Sequence, residues 1–166
     1  MPALSDPAVL DLDGQAAGLV ATLTRRGETV AAAESLTAGL VCATLARISG
    51  ASAVLRGGLV VYATELKHSL AGVDEALLAA RGAVDPEVAA QLAAGARDRC
   101  GATWGLGLTG VAGPSGQDGA APGTVHIGLS GPFGQTVRTL LLSGDRDAVR
   151  TASVNAAFTL LEEQLD

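Results

Sequence analysis

The sequence is short of aromatic residues and of lysine. Only 2% of its 166 residues are aromatic, whereas 48% are hydrophobic, so the core has to be built from Ala, Val and Leu, which suits close packing of helices on a sheet. Lys67 is the only lysine among 11 basic residues. Arginine cannot lose its proton in a protein, whereas lysine can. A lone lysine in a chain that otherwise uses arginine therefore indicates a position where the side chain has to lose its proton.

Other scarcities exclude classes of partner. The net charge is −6 and no stretch gathers the arginines into a basic stripe, so we do not expect nucleic acid binding. No apolar run approaches the roughly 20 residues that span a bilayer, and residues 1–13 are acidic without the apolar core of a signal peptide. We therefore expect a cytoplasmic protein with no membrane contact.

Metal-ligating side chains are also few. Cys42, Cys100, His68 and His126 are isolated in the sequence, without a second Cys or His at ligand spacing. We expect two buried free thiols, no metal site and no cofactor.

What remains is one domain, residues 14–166, behind a flexible leader, residues 1–13. Twenty-two glycines indicate several tight turns. Hydrophobic periodicity and capping residues predict helices near 14–26, 36–48, 64–70, 74–81, 86–100 and 146–165, and strands near 29–33, 55–62, 103–108, 124–129 and 136–142. Strands separated by helices come first and an antiparallel hairpin comes late. The order predicts a three-layer α/β/α domain with a mixed sheet.

Three residues at predicted strand-to-helix corners can carry chemistry, and each has a structural alternative. Lys67 is either a base with a lowered pKa or an ordinary first-turn surface lysine. Tyr62, the only tyrosine, either donates a hydrogen bond or stacks on a ligand ring, or it anchors packing at a strand end. Ser35 is either a nucleophile beside the free N–H groups of a helix N-terminus or the N-cap of that helix.

A glycine-rich loop, residues 109–116 (TGVAGPSG), follows a predicted strand directly. Successive backbone N–H groups in such a loop can converge on an anion, but the loop lacks the features of a P-loop or a dinucleotide fingerprint. Arg146 and Arg150 lie four apart on one helical face and either meet a phosphate or pair with surface acids. Glu34 is either buried and paired or marks the exit of a strand into solvent.

Together these segments resemble the C-terminal domain family of the competence/damage-inducible protein CinA, whose stand-alone members include nicotinamide-nucleotide amidases. The resemblance covers nearly all of the chain after the leader. It is carried by the segments AESLTAG (33–39), GAS (50–52) with RGG (56–58), Tyr62 through Lys67 and His68, GAV (82–84), TGVAGP (109–114), GTV (123–125), and GDR (144–146) with Arg150.

The resemblance implies an enzyme that hydrolyses the carboxamide of nicotinamide mononucleotide to nicotinic acid mononucleotide and ammonia. It suggests Ser35 as the hydroxyl at the scissile amide, Lys67 as its base and Tyr62 as a hydrogen-bonding partner, with N–H groups near residues 36–39 holding the oxyanion. The residues that it places around the substrate are Glu34, Thr37, Gly39, Thr109, Gly110, Gly113 and Arg146, the last of them at the phosphate.

The sequence departs from the family pattern at Leu36 and Ala38, where Cys and Gly are common. A methyl group at position 38 crowds the site if this residue has a positive φ. Asp85 replaces a common Ser, and Ala120, Ala121 and Pro122 stand where Lys-Pro-Val is usual.

The alternative to an amidase is a catalytically silent nucleotide-binding or regulatory domain. Many CinA proteins carry an additional N-terminal nucleotide-hydrolysing domain, which this sequence lacks, so we expect a self-sufficient small enzyme. An Ala- and Leu-rich domain of this size is compatible with a homodimer or a higher homo-oligomer.

Overall fold

A computed structural model describes residues 10–166 of the chain. Most of the predicted leader, residues 1–9, lies outside this range. The first helix begins at Leu12, two residues before the predicted start, because the Asp11 carboxylate accepts a hydrogen bond from the N–H of Gly14 and caps it.

Within the described residues, five strands and six α-helices follow one another in nearly the predicted order. The elements are α1 (Leu12–Arg26), β1 (Val30–Glu34), α2 (Leu40–Ala46), β2 (Leu55–Val60), α3 (Thr64–Ser69), α4 (Glu75–Arg81), α5 (Pro86–Cys100), β3 (Trp104–Gly110), β4 (Thr124–Gly131), β5 (Gly134–Leu141) and α6 (Arg146–Leu165).

The strands form one mixed sheet in the order β2-β1-β3-β4-β5. Strand β1 lies parallel to both β2 and β3, whereas β4 lies antiparallel to both β3 and β5. The carboxyl ends of β1, β2 and β3 therefore meet at the same edge of the sheet, the edge at which open α/β sheets bind ligands. Ser35, Tyr62 and Thr109 lie at or just beyond those ends.

Helices cover both faces of the sheet, which confirms the three-layer prediction. One core packs α1, α2 and α6 against the sheet and includes Leu23, Leu106 and Phe158. The other lies under α3, α4 and α5 and includes Val73 and Leu92.

Glycine on the sheet lets α5 pack unusually close. Gly107 of β3 pairs with Gly128 of β4, and a Cβ on either residue would collide with the Ala89 carbonyl of α5. The scarcity of bulky side chains in the sequence is thus matched by short distances between layers.

Strand β2 is irregular beside Gly57 and Gly58. The register of β1 against β2 shifts between Val30 and Ala31, skipping Arg56, as a β-bulge does. Gly58 also allows a close approach, because a Cβ there would overlap the Cys42 sulfur.

The predicted helix over residues 36–48 is wrong at its start. Residues 35–39 form turns, and α2 begins only at Leu40, with Gly39 at φ 99° as its N-cap. Ser35 is therefore not the cap of this helix. The Glu34 carboxylate takes that function, because Oε1 accepts from the Val41 N–H at 2.8 Å and Oε2 from the Cys42 N–H at 3.2 Å.

Other boundary signals are confirmed. Asp85 and Pro86 begin α5 with a side-chain cap, and Asp145 caps α6 through the N–H of Ala148. The β4–β5 hairpin closes through Pro132 and Phe133 alone, since both strands extend further into the turn than the sequence predicts.

Candidate active site

A cavity of about 320 Å³ opens at the carboxyl ends of the three parallel strands, at the lower end of the usual size for a small-molecule site. Residues from each predicted strand-to-helix corner and from the glycine-rich loop form its walls. The lining includes Ser35, Leu36, Tyr62, Lys67, Ala83, Val84, Arg146 and residues 109–117.

Lys67 lies in α3 with its side chain turned inward, and only 1% of its surface is exposed. The first-turn surface alternative is therefore excluded. Its Nζ donates to the carbonyl oxygens of Val61 at 2.8 Å and Tyr62 at 3.1 Å. Nζ makes no other hydrogen bond among the described residues, so one position on the nitrogen remains for a third proton or for a lone pair.

Burial is also the main influence on the charge of this amine. It lowers the pKa of Lys67 from 10.5 to about 8, against the smaller opposing effects of the Asp118 and Glu65 carboxylates. At physiological pH an appreciable fraction of the side chain is consequently neutral and able to accept a proton.

Ser35 follows β1 directly, and its N–H donates to the Leu108 carbonyl at 3.0 Å, continuing the β1–β3 pairing by one residue. Its side chain lines the cavity, and its hydroxyl has no hydrogen bond to any other residue in the range 10–166. A hydroxyl in this position is available to a ligand.

Arg150 fixes the turn after Ser35. Its Nε donates to the Leu36 carbonyl at 2.9 Å and its Nη2 to the Thr37 carbonyl at 3.2 Å. Because a trans peptide directs its C=O and N–H oppositely, the N–H of Thr37 points away from Arg150. That N–H has no partner in the described part of the chain, whereas the N–H of Ala38 donates to the Ser35 carbonyl.

The glycine-rich loop lies beside these residues. The Thr109 hydroxyl donates to the Ala83 carbonyl at 2.7 Å, and a Cβ on Gly110 would lie 2.6 Å from the Thr124 carbonyl oxygen, so only glycine fits there. Between residues 111 and 117, the N–H groups of residues 112, 113, 115 and 116 have no partner among the described residues. They are available to an anion.

Tyr62 and Arg146 form the exposed side of the cavity. Tyr62 is 55% exposed, which does not fit the packing-anchor alternative. Arg146 joins it to the loop, since Nη2 donates to the Tyr62 hydroxyl at 2.8 Å and Nη1 to the Gly113 carbonyl at 2.7 Å. The guanidinium has five N–H bonds, so others remain for a ligand.

Three of the substrate-binding residues suggested by sequence lie outside this lining: Glu34, Thr37 and Gly39. Glu34 is buried, and both of its carboxylate oxygens accept hydrogen bonds from α2. Of the two alternatives for this residue, the buried and paired one is therefore correct. Gly39 provides the positive φ at the start of the same helix. Thr37 is fully buried, and its hydroxyl has no hydrogen-bond partner among the described residues.

The remaining candidates are placed elsewhere. Cys42 and Cys100 are free and partly buried, and burial raises the pKa of the Cys42 thiol to about 12. His126 is buried against Thr139. No helix within the described range is long and apolar enough to cross a membrane.

Sequence reasoning missed two residues that shape the cavity. It left open whether Arg150 binds a phosphate or pairs with a surface acid. In the structure this side chain instead binds the backbone of the turn after Ser35. Sequence reasoning also passed over Asp118, whose carboxylate accepts a hydrogen bond from the Ala83 N–H at 3.1 Å. The Asp118-Gly119 pair, a turn signal inside a long loop, would have drawn attention to this position.

The chain matches the family model of the CinA C-terminal domain over residues 13–165. It is 51% identical over 154 residues to a CinA-like protein of Frankia casuarinae, covering 93% of this chain and 35% of that protein. A CinA-like protein of Anaeromyxobacter dehalogenans is 49% identical over 144 residues, with coverage of 86% and 35%. The chain thus spans about a third of the length of these relatives.

Solved structures agree with this match. The competence/damage inducible protein CihA of Agrobacterium tumefaciens has a TM-score of 0.89 and 32% identity, over 95% of this chain and 98% of the other. A competence or damage-inducible protein of Enterobacter asburiae has a TM-score of 0.91 and 30% identity, over 95% and 100%. The chain belongs to the CinA C-terminal domain family.

Proposed function

We propose that this chain hydrolyses the carboxamide of nicotinamide mononucleotide, giving nicotinic acid mononucleotide and ammonia, with an amine base in place of a metal-bound hydroxide. The observation that carries the proposal is the buried Lys67 amine, which shares one cavity with the unpartnered hydroxyl of Ser35. A base with a lowered pKa beside a hydroxyl is the arrangement required for nucleophilic attack on an amide.

The reaction begins with proton transfer from the Ser35 hydroxyl to the lone pair of Lys67. The Ser35 oxygen then forms a bond to the amide carbon, and the electron pair of the C=O π bond moves onto the carbonyl oxygen of the substrate. When the tetrahedral intermediate collapses, the C–N bond breaks and the leaving nitrogen takes the proton from the Lys67 ammonium, which releases ammonia. Water, deprotonated by Lys67, hydrolyses the resulting ester, and Ser35 regains its proton.

The N–H of Leu36 is the donor that we assign to the oxyanion. Leu36 lines the cavity and follows the nucleophile directly, its N–H has no partner in the described residues, and Arg150 holds the Leu36 carbonyl at 2.9 Å. Fixed donors of this kind stabilise a developing negative charge without reorganisation.

The other end of the cavity suits the nucleotide. Arg146 provides the charge for the phosphate, and the free N–H groups of residues 112, 113, 115 and 116 add further donors. The exposed Tyr62 ring lies beside them, where it can stack on the cationic pyridinium ring. Catalysis and recognition are thus assigned to different walls.

Incubation of the purified chain with nicotinamide mononucleotide tests the proposal. We expect stoichiometric ammonia and nicotinic acid mononucleotide, measured by coupled assay and by NMR, and no ammonia from the Ser35→Ala variant. Binding of the nucleotide without any ammonia release would reject the amidase and leave the catalytically silent domain.

A second experiment separates two routes within the proposal. Mass spectrometry of protein quenched during slow turnover should detect a nicotinoyl nucleotide ester on Ser35. Turnover with no trace of this adduct would instead mean that Ser35 positions a water that attacks the amide directly.

A further inference from the structure

The tip of the glycine-rich loop is a two-residue turn. The N–H of Ala120 donates to the Gln117 carbonyl at 2.8 Å, and the N–H of Gln117 donates to the Ala120 carbonyl at 3.1 Å. The residues between them, Asp118 and Gly119, have φ values of 50° and 78°. This is the backbone of a type I′ turn, for which Asp-Gly is a favoured pair, so the tip has a defined shape.

The side chain of Asp118 ties this tip to a separate part of the chain. Its Oδ2 accepts from the N–H of Ala83 at 3.1 Å, across 35 positions of sequence. Gly82 is adapted to this contact, because it has φ 77° and an added Cβ would lie 3.0 Å from Cβ and Cγ of Asp118. A side chain at position 82 would push the carboxylate away.

The same peptide segment reaches the cavity. The carbonyl of Ala83 accepts the hydrogen bond of the Thr109 hydroxyl, and both Ala83 and Gln117 line the cavity, whereas Asp118 does not. Ala83 is therefore held on one side by the loop tip and holds Thr109 on the other. Two carboxylates raise the pKa of Lys67 against burial, Asp118 from this tip and Glu65 from its own helix.

We propose that Asp118 is a positioning residue that latches the glycine-rich loop onto the Gly82–Ala83 corner and so keeps the ligand-binding loop and Thr109 in register with Lys67. Asp118 touches neither substrate nor reacting atoms in this assignment. Its effect on turnover depends on the proposed amidase function, but the latch itself can be measured without substrate.

Hydrogen exchange tests the latch in the free protein. Asp118→Ala removes the acceptor, so the amide of Ala83 and the hydrogen-bonded amides of the loop tip, Gln117 and Ala120, should exchange about ten-fold faster, the usual consequence of losing one hydrogen bond to a charged group. Asp118→Asn keeps an acceptor oxygen and should exchange nearly as the wild type does. Strand amides of β3 and β4 report whether each variant is folded.

Asp98→Ala is the matched control. Asp98 is exposed on α5, and its carboxylate has no hydrogen bond or ion pair within residues 10–166. Unchanged exchange in Asp118→Ala, or an equal increase in Asp98→Ala, would overturn the latch.

The single lysine allows a second substrate-free measurement. With lysine carrying ¹³C at Cε, the side chain of Lys67 gives the only lysine side-chain resonance, and its pH titration gives the pKa. Asp118→Asn removes a negative charge that favours the ammonium, so the pKa should fall by roughly half a unit. Asp98→Asn should leave it unchanged. A pKa that stays constant in Asp118→Asn would show that the loop tip does not lie near Lys67 in solution.

Kinetics then connect the latch to turnover. With nicotinamide mononucleotide, Asp118→Ala should raise KM about ten-fold while kcat stays within about three-fold, because a loosened loop weakens binding more than chemistry. A fall in kcat with unchanged KM would contradict a role in holding the loop. A wild-type protein that releases no ammonia would reject the amidase, while the exchange and titration results would still decide the latch.

Discussion

The two walls of the cavity are built in opposite ways. The inner wall, Ser35, Lys67 and Thr109, is almost completely buried, with Lys67 and Thr109 hydrogen bonded to backbone carbonyls. The outer wall, Tyr62 and Arg146, is exposed and held by contacts between its own side chains and the Gly113 carbonyl. A buried wall can change the pKa of a base, whereas an exposed wall can exchange its contacts for those of a ligand.

The largest effect should come from the inner wall. Lys67→Arg keeps a positive charge but cannot lose a proton, so kcat for ammonia release should fall by about a thousand-fold or more. Lys67→Met should lose as much, and circular dichroism checks that both variants fold. Near-normal activity of Lys67→Arg would show that this residue is not the base and that the two walls do not differ in the proposed way.

The outer wall should respond in KM instead. Arg146→Ala removes the guanidinium proposed for the phosphate and should raise KM for the mononucleotide about ten- to a hundred-fold, with kcat little changed. Nicotinamide riboside, which lacks the phosphate, is the matched substrate: its kinetics should be the same for wild type and variant. An equal loss with both substrates would place Arg146 in some other role.

Arg150 belongs to neither wall but binds the backbone of the turn after Ser35, so it sharpens the comparison. Arg150→Ala frees the turn after Ser35, so kcat should fall about ten-fold while KM is nearly constant, because a fixed orientation of the Leu36 N–H matters most in the transition state. Arg138→Ala, which breaks an ion pair with Glu163 away from the cavity, is the control. An effect on KM alone would assign Arg150 to the phosphate.

The smallest effect concerns backbone strain beside the inner wall. Ala38 has φ 47°, which costs an L-residue about 1–2 kcal/mol, so Ala38→Gly should raise the free energy of unfolding by roughly 0.5 kcal/mol after the entropy of glycine is subtracted. Ala43→Gly, the same change inside helix α2, should lower it by about 0.5–1 kcal/mol. Thermal unfolding measures both, and equal signs would contradict the strain.

Much of the fold could be predicted because its signals are local. Asp85-Pro86 and Asp145 mark helix starts through chemistry contained in a few residues. The start of α2 was misplaced because its cap is Glu34, which lies in the preceding strand and reaches the helix only after the chain turns at Gly39. No propensity of residues 36–39 contains that information.

The residues of the site divide in the same way, into those with a local signal in the sequence and those that depend on distant contacts. Ser35, Tyr62 and Lys67 are found from strand-to-helix corners and from their scarcity, and the fold brings them to one cavity. The roles of Arg150 and Asp118 depend on contacts to backbone groups 113 or 114 and 35 positions away. A side chain that binds backbone leaves no pairing pattern in a single sequence.

The dependence of kcat on pH tests the central claim most directly, since the inner wall is proposed to make Lys67 a base. Burial lowers the pKa of Lys67 to about 8, and only the neutral amine can accept the proton of Ser35. At saturating nicotinamide mononucleotide, ammonia release should therefore rise as the pH passes through about 8 and level above it. No ammonia at any pH, or a rate that is flat from about pH 6 to about pH 9.5, would contradict the account.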